Sequence, residues 1–453
     1  MRRKGLPGLT GQIKDKLIQQ ALERRLRQAG ERDGGPDADS LASAQSYEAA
    51  DVPERYYRFH LHPGYQQLRI INDGASRLGI QSPFFKLHEG IADSHTRIGG
   101  KDYLNFASYN YLGLSGHPSV NQASQAAIDL YGTSVSASRL VSGERPIHRQ
   151  LEQAIAKAYG TDDAVVFVSG HATNVTTIGY LFGPRDLIVH DELIHNSALL
   201  GMQLSGARRL SFPHNDWAAL DALLCQQRRQ FERVLLVVEG IYSMDGDYPD
   251  LPRFIEIKQK HRAFLMVDEA HSFGVMGERG LGIREHFKLD GRDVDIWMGT
   301  LSKSLAACGG YIAGEIALIE HLKFLAPGFL YSVGMSPPIA AAALAALECL
   351  LAEPERVKTL QERGQLFLER ARASGVVTGT SAGLAVVPAI IGNSIKATRL
   401  ANALFERGIN VQPILYPAVP EKSARLRFFI SCRHTESEIC DAVRVLSEES
   451  KLI

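Results

Sequence analysis

The sequence has no CxxC pair, and its five cysteines (Cys225, Cys308, Cys349, Cys432 and Cys440) are scattered and odd in number. That speaks against a disulfide framework and a cysteine-built zinc site. No metal is expected, and a reducing cytoplasm is the natural setting. Charge of one sign is also missing: Lys+Arg and Asp+Glu are 50 each, which leaves no global basic field for nucleic acid. The longest apolar run, around residues 339–351, is Ala-rich and interrupted by Glu348. It is too short for a membrane span and reads as a buried helix. The basic N-terminus lacks the apolar core of a secretory signal. A DEAH string ends at His271, but no GxxxxGK[ST] phosphate loop accompanies it, so a helicase reading finds no support. No internal repeat or low-complexity tract is present.

What the chain does have is length and alternation. Its 453 residues, 45% hydrophobic and 22% charged, suffice for two or three domains with substantial cores. Residues 1–50 read as an extension: a basic amphipathic helix over 11–29, a candidate docking helix, precedes the linker GERDGGPDADS (30–40). Residues 51–104 form a lead-in segment with a helix over 65–80. From 105 to 330 helical and strand-like pieces alternate, which predicts a mostly parallel, helix-flanked sheet. Residues 331–453 read as a smaller α+β domain: a long helix over 338–352, then strands near 385–391, 409–413 and 426–431.

Chemistry concentrates in 234–314. AFLMVDEA (263–270) and DVDIWMGT (293–300) begin apolar and end polar, as buried parallel strands do when they deliver groups to their C-terminal edge. Asp268 and His271 follow one strand, and Lys303 lies in a hydroxyl-rich turn after the next. A carboxylate after Phe-Leu-Met-Val needs a cationic partner; a pyridinium nitrogen is one. A desolvated lysine suits a Schiff base with an aldehyde, and Thr300 and Ser302 suit a phosphate. VSGHATN (168–174) places Ser169, Gly170 and His171 where a strand gives way to a helix, whose free amides favour phosphate. His195 follows another strand. Arg425 and Arg427 alternate with apolar residues and share one face, from which an arginine can hold a carboxylate. Taken singly, each also fits a structural role: a satisfied acid, a surface lysine, a capping histidine, an edge strand with two solvated arginines.

Eight ordered motifs carry more than any one of them. LNFASYNYLGLSGHP, SRLVSGERPIHRQLE, VSGHATN, HDELIHNS, EGIYSMDGD, VDEAHSFGVMGERGLG, TLSKSLAACGGYIAG and RLRFFISCRHT together resemble the α-oxoamine synthases, over residues 83–446. The resemblance implies an α/β, fold-type I pyridoxal 5'-phosphate (PLP) enzyme with a seven-stranded-type sheet and a small C-terminal domain, working as a homodimer with its active site at the subunit interface. It implies condensation of an amino acid (glycine, alanine or serine) with an acyl thioester, on coenzyme A or an acyl carrier protein, with decarboxylation to an α-aminoketone. It also implies roles. Lys303 carries PLP and moves the substrate α-proton, Asp268 pairs with the ring nitrogen, and His195 stacks on the ring. His271 and Ser243 lie near the phenolic oxygen. Ser169, Gly170, His171 and Thr300 hold the phosphate, and Arg427 binds the amino acid carboxylate.

Three departures stand out. His171 replaces the family's usual aromatic. Tyr109-Asn110 replaces Asn-Asp or Asn-Asn before YLGL and looks like serine palmitoyltransferases, so Tyr109 and Asn110 are expected at the substrate. YSVGMSPP (331–338) replaces a Thr/Ser-rich stretch, leaving Ser332 as the hydroxyl expected to reach the neighbouring subunit's phosphate. TSVSASRLVSGERP and APGFLYSVGMSPP look most like polyketide-associated members. Two other readings stay open on sequence: an aminotransferase of the same fold type, and a non-catalytic scaffold that binds a carrier protein.

Overall fold

The computed structural model describes residues 52–453; the expected docking helix and linker lie outside them. Two compact units divide the chain, one ending at Gly79 and one running from Ile80 to Ile453. In the first, two short 3-10 turns precede a helix, Pro63–Arg77, with proline at its start and no buried residue.

The second unit holds three sheets. The strands in chain order are β1 (His95–Ile98), β2 (Lys101–Asn105), β3 (Asp163–Phe167), β4 (Leu187–Asp191), β5 (Arg208–Phe212), β6 (Val234–Glu239), β7 (Phe264–Asp268), β8 (Ile296–Thr300), β9 (Gly310–Gly314), β10 (Val386–Ile390), β11 (Ile409–Asn410), β12 (Gln412–Ile414) and β13 (Arg425–Phe429). Seven of them form the central sheet in the order β3-β9-β8-β7-β6-β4-β5. All its pairings are parallel except those of β9, which runs against both β3 and β8. β3, β4 and β6 are buried at every position. Their near-continuous Val/Ile/Leu content is what a sheet covered on both faces requires. Each fully buried Val or Leu there contributes about 1.5–3 kcal/mol relative to exposure.

Helices close the faces with local devices that the sequence supplies. Pro146–Tyr159 starts on a proline and ends at Gly160, whose left-handed φ 69, ψ 34 costs a glycine nothing. Its inner face (Ile147, Leu151, Ile155, Tyr159) is buried. The apolar run becomes Pro337–Ala352, buried among Pro118–Tyr131 and Pro146–Tyr159. No single helix among the described residues is long and apolar enough to cross a membrane.

The C-terminal region departs from expectation in one respect. Residues 409–413 do not make one strand. Ile409–Asn410 pairs in parallel with Leu104–Asn105, while Gln412–Ile414 pairs with Arg425–Arg427 in a separate antiparallel sheet, β10-β13-β12. The segment that precedes residue 105 and the region after 331 therefore share a sheet. β13 is also the central strand of its sheet, which removes the edge-strand reading of its arginines.

Candidate active site

Parallel strands β4, β6, β7 and β8 all end on one edge of the sheet, and the turns that follow them converge on a cavity of about 180 Å³. Its lining includes Gly170, His195, Glu239, Asp268, His271 and Lys303.

Asp268 ends β7 and is buried. Its Oδ2 accepts from Asn174 Nδ2 at 2.8 Å and its Oδ1 from the Ala270 amide at 3.0 Å. Both partners are neutral, so the carboxylate has no cation of its own and each oxygen keeps acceptor capacity. Asn174 Nδ2 also donates to Ser197 Oγ at 2.9 Å. That hydroxyl lies 2.7 Å from His195 Nδ1, which also accepts from the Ser197 amide at 3.2 Å. With Nδ1 accepting, the neutral ring carries its hydrogen on Nε2. Burial lowers the His195 pKa, with Lys303 and His171 adding and Asp268 opposing.

His271 is held from behind. Tyr111 Oη lies 2.8 Å from its Nδ1, in a fully buried contact. Burial first, then the charges of Lys303, Arg427 and His195, push His271 well below the ordinary imidazole value, so it stays neutral. The same burial raises Tyr111, which stays a phenol. Lys303 follows β8, half-buried, its Nζ 5.7 Å from the Tyr109 ring centre. Desolvation pulls its pKa down to about 8, with Asp268 opposing and Arg427 adding.

On the β8–β9 side stands the start of the helix Gly170–Leu181. Ser169 caps it, its hydroxyl accepting from the Ala172 amide at 3.4 Å. The amides of Gly170 and His171 precede the first helical hydrogen bond and stay free for a ligand. A Cβ at Gly170 would lie 2.9 Å from Thr300 Oγ1, so a side chain would fill the space. Thr300 Oγ1 donates to the Gly309 carbonyl at 3.0 Å, which fixes it there.

Arg425 and Arg427 separate in role. Arg425 is buried and paired with Asp245, 2.6 Å from Nη1 to Oδ1. Arg427 has no carboxylate partner among the described residues. Its Nη1 donates to the Ser243 carbonyl at 3.0 Å, its guanidinium lies 4.6 Å over the Phe429 ring, and its Nε is buried without a partner. Tyr109 packs edge-on against the same ring, centroids 4.8 Å apart.

The structure thus brings together Ser169, Gly170, His171, His195, Asp268, His271, Thr300 and Lys303, with Tyr109 and Arg427 beside them. Ser243 meets them through its backbone, its carbonyl receiving Arg427 and its amide donating to Glu239 Oε2 at 3.3 Å. One expectation needs correction. Asn110 is not at the cavity: its amide donates to the Ala92 carbonyl at 2.8 Å and accepts from the Ser115 amide at 3.1 Å, which spends it on the loop. Ser332 lies beside Arg139 and Phe329, outside this cavity, with its hydroxyl on the Val333 carbonyl at 3.3 Å. Sequence reasoning missed Tyr111, Asn174, Ser197 and Glu239. Glu239 alone left a signal, since an acid ending the apolar run VLLVV repeats the pattern of Asp268.

One metal-compatible trio among the described residues, Asp221, Cys225 and His261, does not line this cavity, and Asp221 there already bonds Lys260 and His261.

PLP fits this donor set. Free amides and a glycine cradle would suit its phosphate, Asp268 has room to accept from a ring N–H, and the desolvated Lys303 would suit its aldehyde. Fold and cavity together define a PLP site of fold type I. Comparisons with known proteins agree. The model of the aminotransferase class I and II family matches residues 101–446. An 8-amino-7-oxononanoate synthase of Symbiobacterium thermophilum is 38% identical over 376 residues, 83% of this chain and 95% of that one. One of Fervidobacterium nodosum is 40% identical over 345 residues, 76% and 87% of the two chains. A serine palmitoyltransferase (SPT) of Sphingomonas wittichii superposes with TM-score 0.82 at 26% identity, covering 86% of this chain and 98% of that one. An SPT solved with PLP gives TM-score 0.82 at 27% identity and the same coverage. The chain belongs to the α-oxoamine synthase family of PLP-dependent enzymes.

Proposed function

We propose that the protein condenses glycine, alanine or serine with an acyl thioester and releases carbon dioxide and an α-aminoketone. The observation that carries this reading is Arg427: a guanidinium with a buried, unpartnered Nε and no acid of its own, near Lys303 and packed with Tyr109 on Phe429. An amino acid carboxylate satisfies it.

PLP, when bound, supplies an electron sink for charge developing at the amino acid's Cα. The chain supplies the rest. Lys303 Nζ holds the cofactor and, near pKa 8, takes the Cα proton and returns one to product. Asp268 keeps a proton on the ring nitrogen. The neutral ring of His195 stacks on the cofactor, held in orientation by Ser197. Gly170 and His171 amides bind the phosphate, and the Thr300 hydroxyl would turn to it from the Gly309 carbonyl. His271, backed by Tyr111, faces the phenolic side. Tyr109 covers the substrate near Arg427, in the place the family gives to asparagine.

The working unit in this reading is a cytoplasmic homodimer with the site at its interface, Ser332 reaching a neighbouring subunit's phosphate, and residues 105–330 and 331–453 as its two domains. The acyl donor is coenzyme A-bound or carried by an acyl carrier protein, as in polyketide pathways; in the second case residues 1–50 dock the carrier. Purified protein should change its PLP spectrum with one amino acid and, given thioesters, yield an aminoketone detectable by mass spectrometry. Transfer of the amino group to a keto acid without thioester consumption would replace this reading with an aminotransferase.

A further inference from the structure

Glu239 is the one acid of the cavity to which no role has yet been given. It ends β6 directly opposite Asp268 on β7. It is 3% exposed and lines the cavity with His195, Asp268 and Lys303. Its two oxygens differ. Oε2 accepts from the Ser243 amide at 3.3 Å, while Oε1 is buried with no partner at hydrogen-bonding geometry. Burial first, then the charge of Asp268, raise its pKa well above the carboxylate range; the His195 and Ser243 amides and Lys303 oppose this without reversing it. Two anions on neighbouring buried strand ends would repel strongly, and the ring nitrogen needs Asp268 ionised. The proton therefore sits on Glu239. Ser243 makes Oε2 an acceptor, and no amide, that of His195 included, reaches Oε1 at hydrogen-bonding geometry, so the hydroxyl hydrogen falls to Oε1. A buried O–H donor with no acceptor is costly, and the described residues offer none.

The order of the sheet says which ligand atom supplies the acceptor. The phosphate cradle, Gly170 with Thr300, lies on the β8–β9 side, and Asp268 sits on β7. In PLP the phosphate arm and the ring hydroxyl flank the ring nitrogen on opposite sides. With the phosphate beyond β8 and the nitrogen at β7, the hydroxyl side faces β6, whose last residue is Glu239.

We propose that Glu239 is a neutral carboxylic acid that donates a hydrogen bond from Oε1 to the ring oxygen of PLP, a cofactor contact additional to those expected of His271 and Ser243. No proton is transferred. A donor at that oxygen favours its anionic form, and so favours loss of the proton that the bound cofactor shares with Lys303. The charged and titratable groups around it are Asp268 on β7, His195 after β4, Tyr242 three residues further along its own chain, His271 after β7, Lys303 after β8 and Arg427 on β13.

The inference rests on PLP binding here and not on the choice of substrates, and its test uses no substrate. Wild type, Glu239→Gln, Glu239→Ala and Glu239→Met are loaded with PLP, checked for fold by circular dichroism, and titrated through the visible band. Loss of the donor in Ala or Met should raise the band's pH midpoint by about one unit, with PLP bound about tenfold more weakly. Gln, whose amide also donates, should stay near wild type. Identical midpoints in all folded variants would overturn the proposal. If neither Ala nor Met folds, infrared difference spectra of wild type with and without PLP decide. The protonated-carboxyl band, absent in Gln, should shift when PLP binds; a band that is missing or unmoved in wild type would overturn the proposal.

Discussion

Tyr111 Oη and His271 Nδ1 meet at 2.8 Å across 160 positions of sequence, both side chains buried. The phenol fixes the plane of an imidazole that burial keeps neutral, and so decides which ring nitrogen faces the cavity.

Tyr111→Phe should therefore keep the fold and loosen His271. The lost hydrogen bond costs about 1 kcal/mol of stability, readable as a small drop in Tm. The visible band of bound PLP should shift while the amino acid KM changes little. An unchanged band would mean that the Tyr111 hydroxyl serves packing alone.

Gly170→Ala places a Cβ 2.9 Å from Thr300 Oγ1, in the phosphate cradle. PLP affinity should fall by about tenfold or more, while the Tm of the PLP-free protein moves by about a degree. Equilibrium titration with PLP separates the two effects. Unaltered affinity would remove the phosphate from this helix start.

Arg427→Lys retains a charge and loses the two-pronged guanidinium. Amino acid KM should rise about tenfold or more with the PLP band intact, because a lysine gives a carboxylate one contact where arginine gives two. Arg425→Lys should instead lower stability, since its partner Asp245 is fixed in the fold. Steady-state kinetics beside thermal melts tell these apart.

His214 bridges Asp191 and Asp247 at 2.9 and 3.0 Å. Burial lowers its pKa, but the hydrogen bonds to both acids outweigh it and push the value up to about 10, from 6.5. The folded state thus binds the proton more tightly than the unfolded state. The stabilisation is complete below pH 6.5 and is lost as pH rises from 6.5 to 10. Unfolding free energy should fall by a few kcal/mol over that window, and His214→Gln should flatten the slope. A wild-type slope equal to that of the variant would show that the bridge carries no net stability.

Much of this was legible in the chain. Runs such as FLMVD and DVDIWMGT announce buried strands, and the acid and lysine that follow them announce the cavity, because period and polarity are local properties. The contacts that tune it are not local. Asn174 reaches Asp268 across 94 positions, and nothing in SGHATN marks its amide for that purpose. Asn110 looked like a substrate residue from its place in SYNYLGL, but two backbone partners claim it. Likewise the 409–413 strand divides because Asn410 finds Asn105, and Gln412 finds Arg427, in different sheets. Pairing partners far along the chain decided these cases. Glu239 was readable in principle, as a second acid ending an apolar strand.

The most direct test of the central claim, that the Lys303 cavity performs decarboxylative condensation, follows the substrate carboxyl carbon. Each amino acid, carboxyl-labelled, is incubated with PLP-loaded protein, with and without an acyl thioester, beside Lys303→Ala. The account expects labelled carbon dioxide only when a thioester is present, in step with an aminoketone bearing the acyl chain, and none from Lys303→Ala. Label kept in a keto acid product, with the thioester untouched, would contradict it.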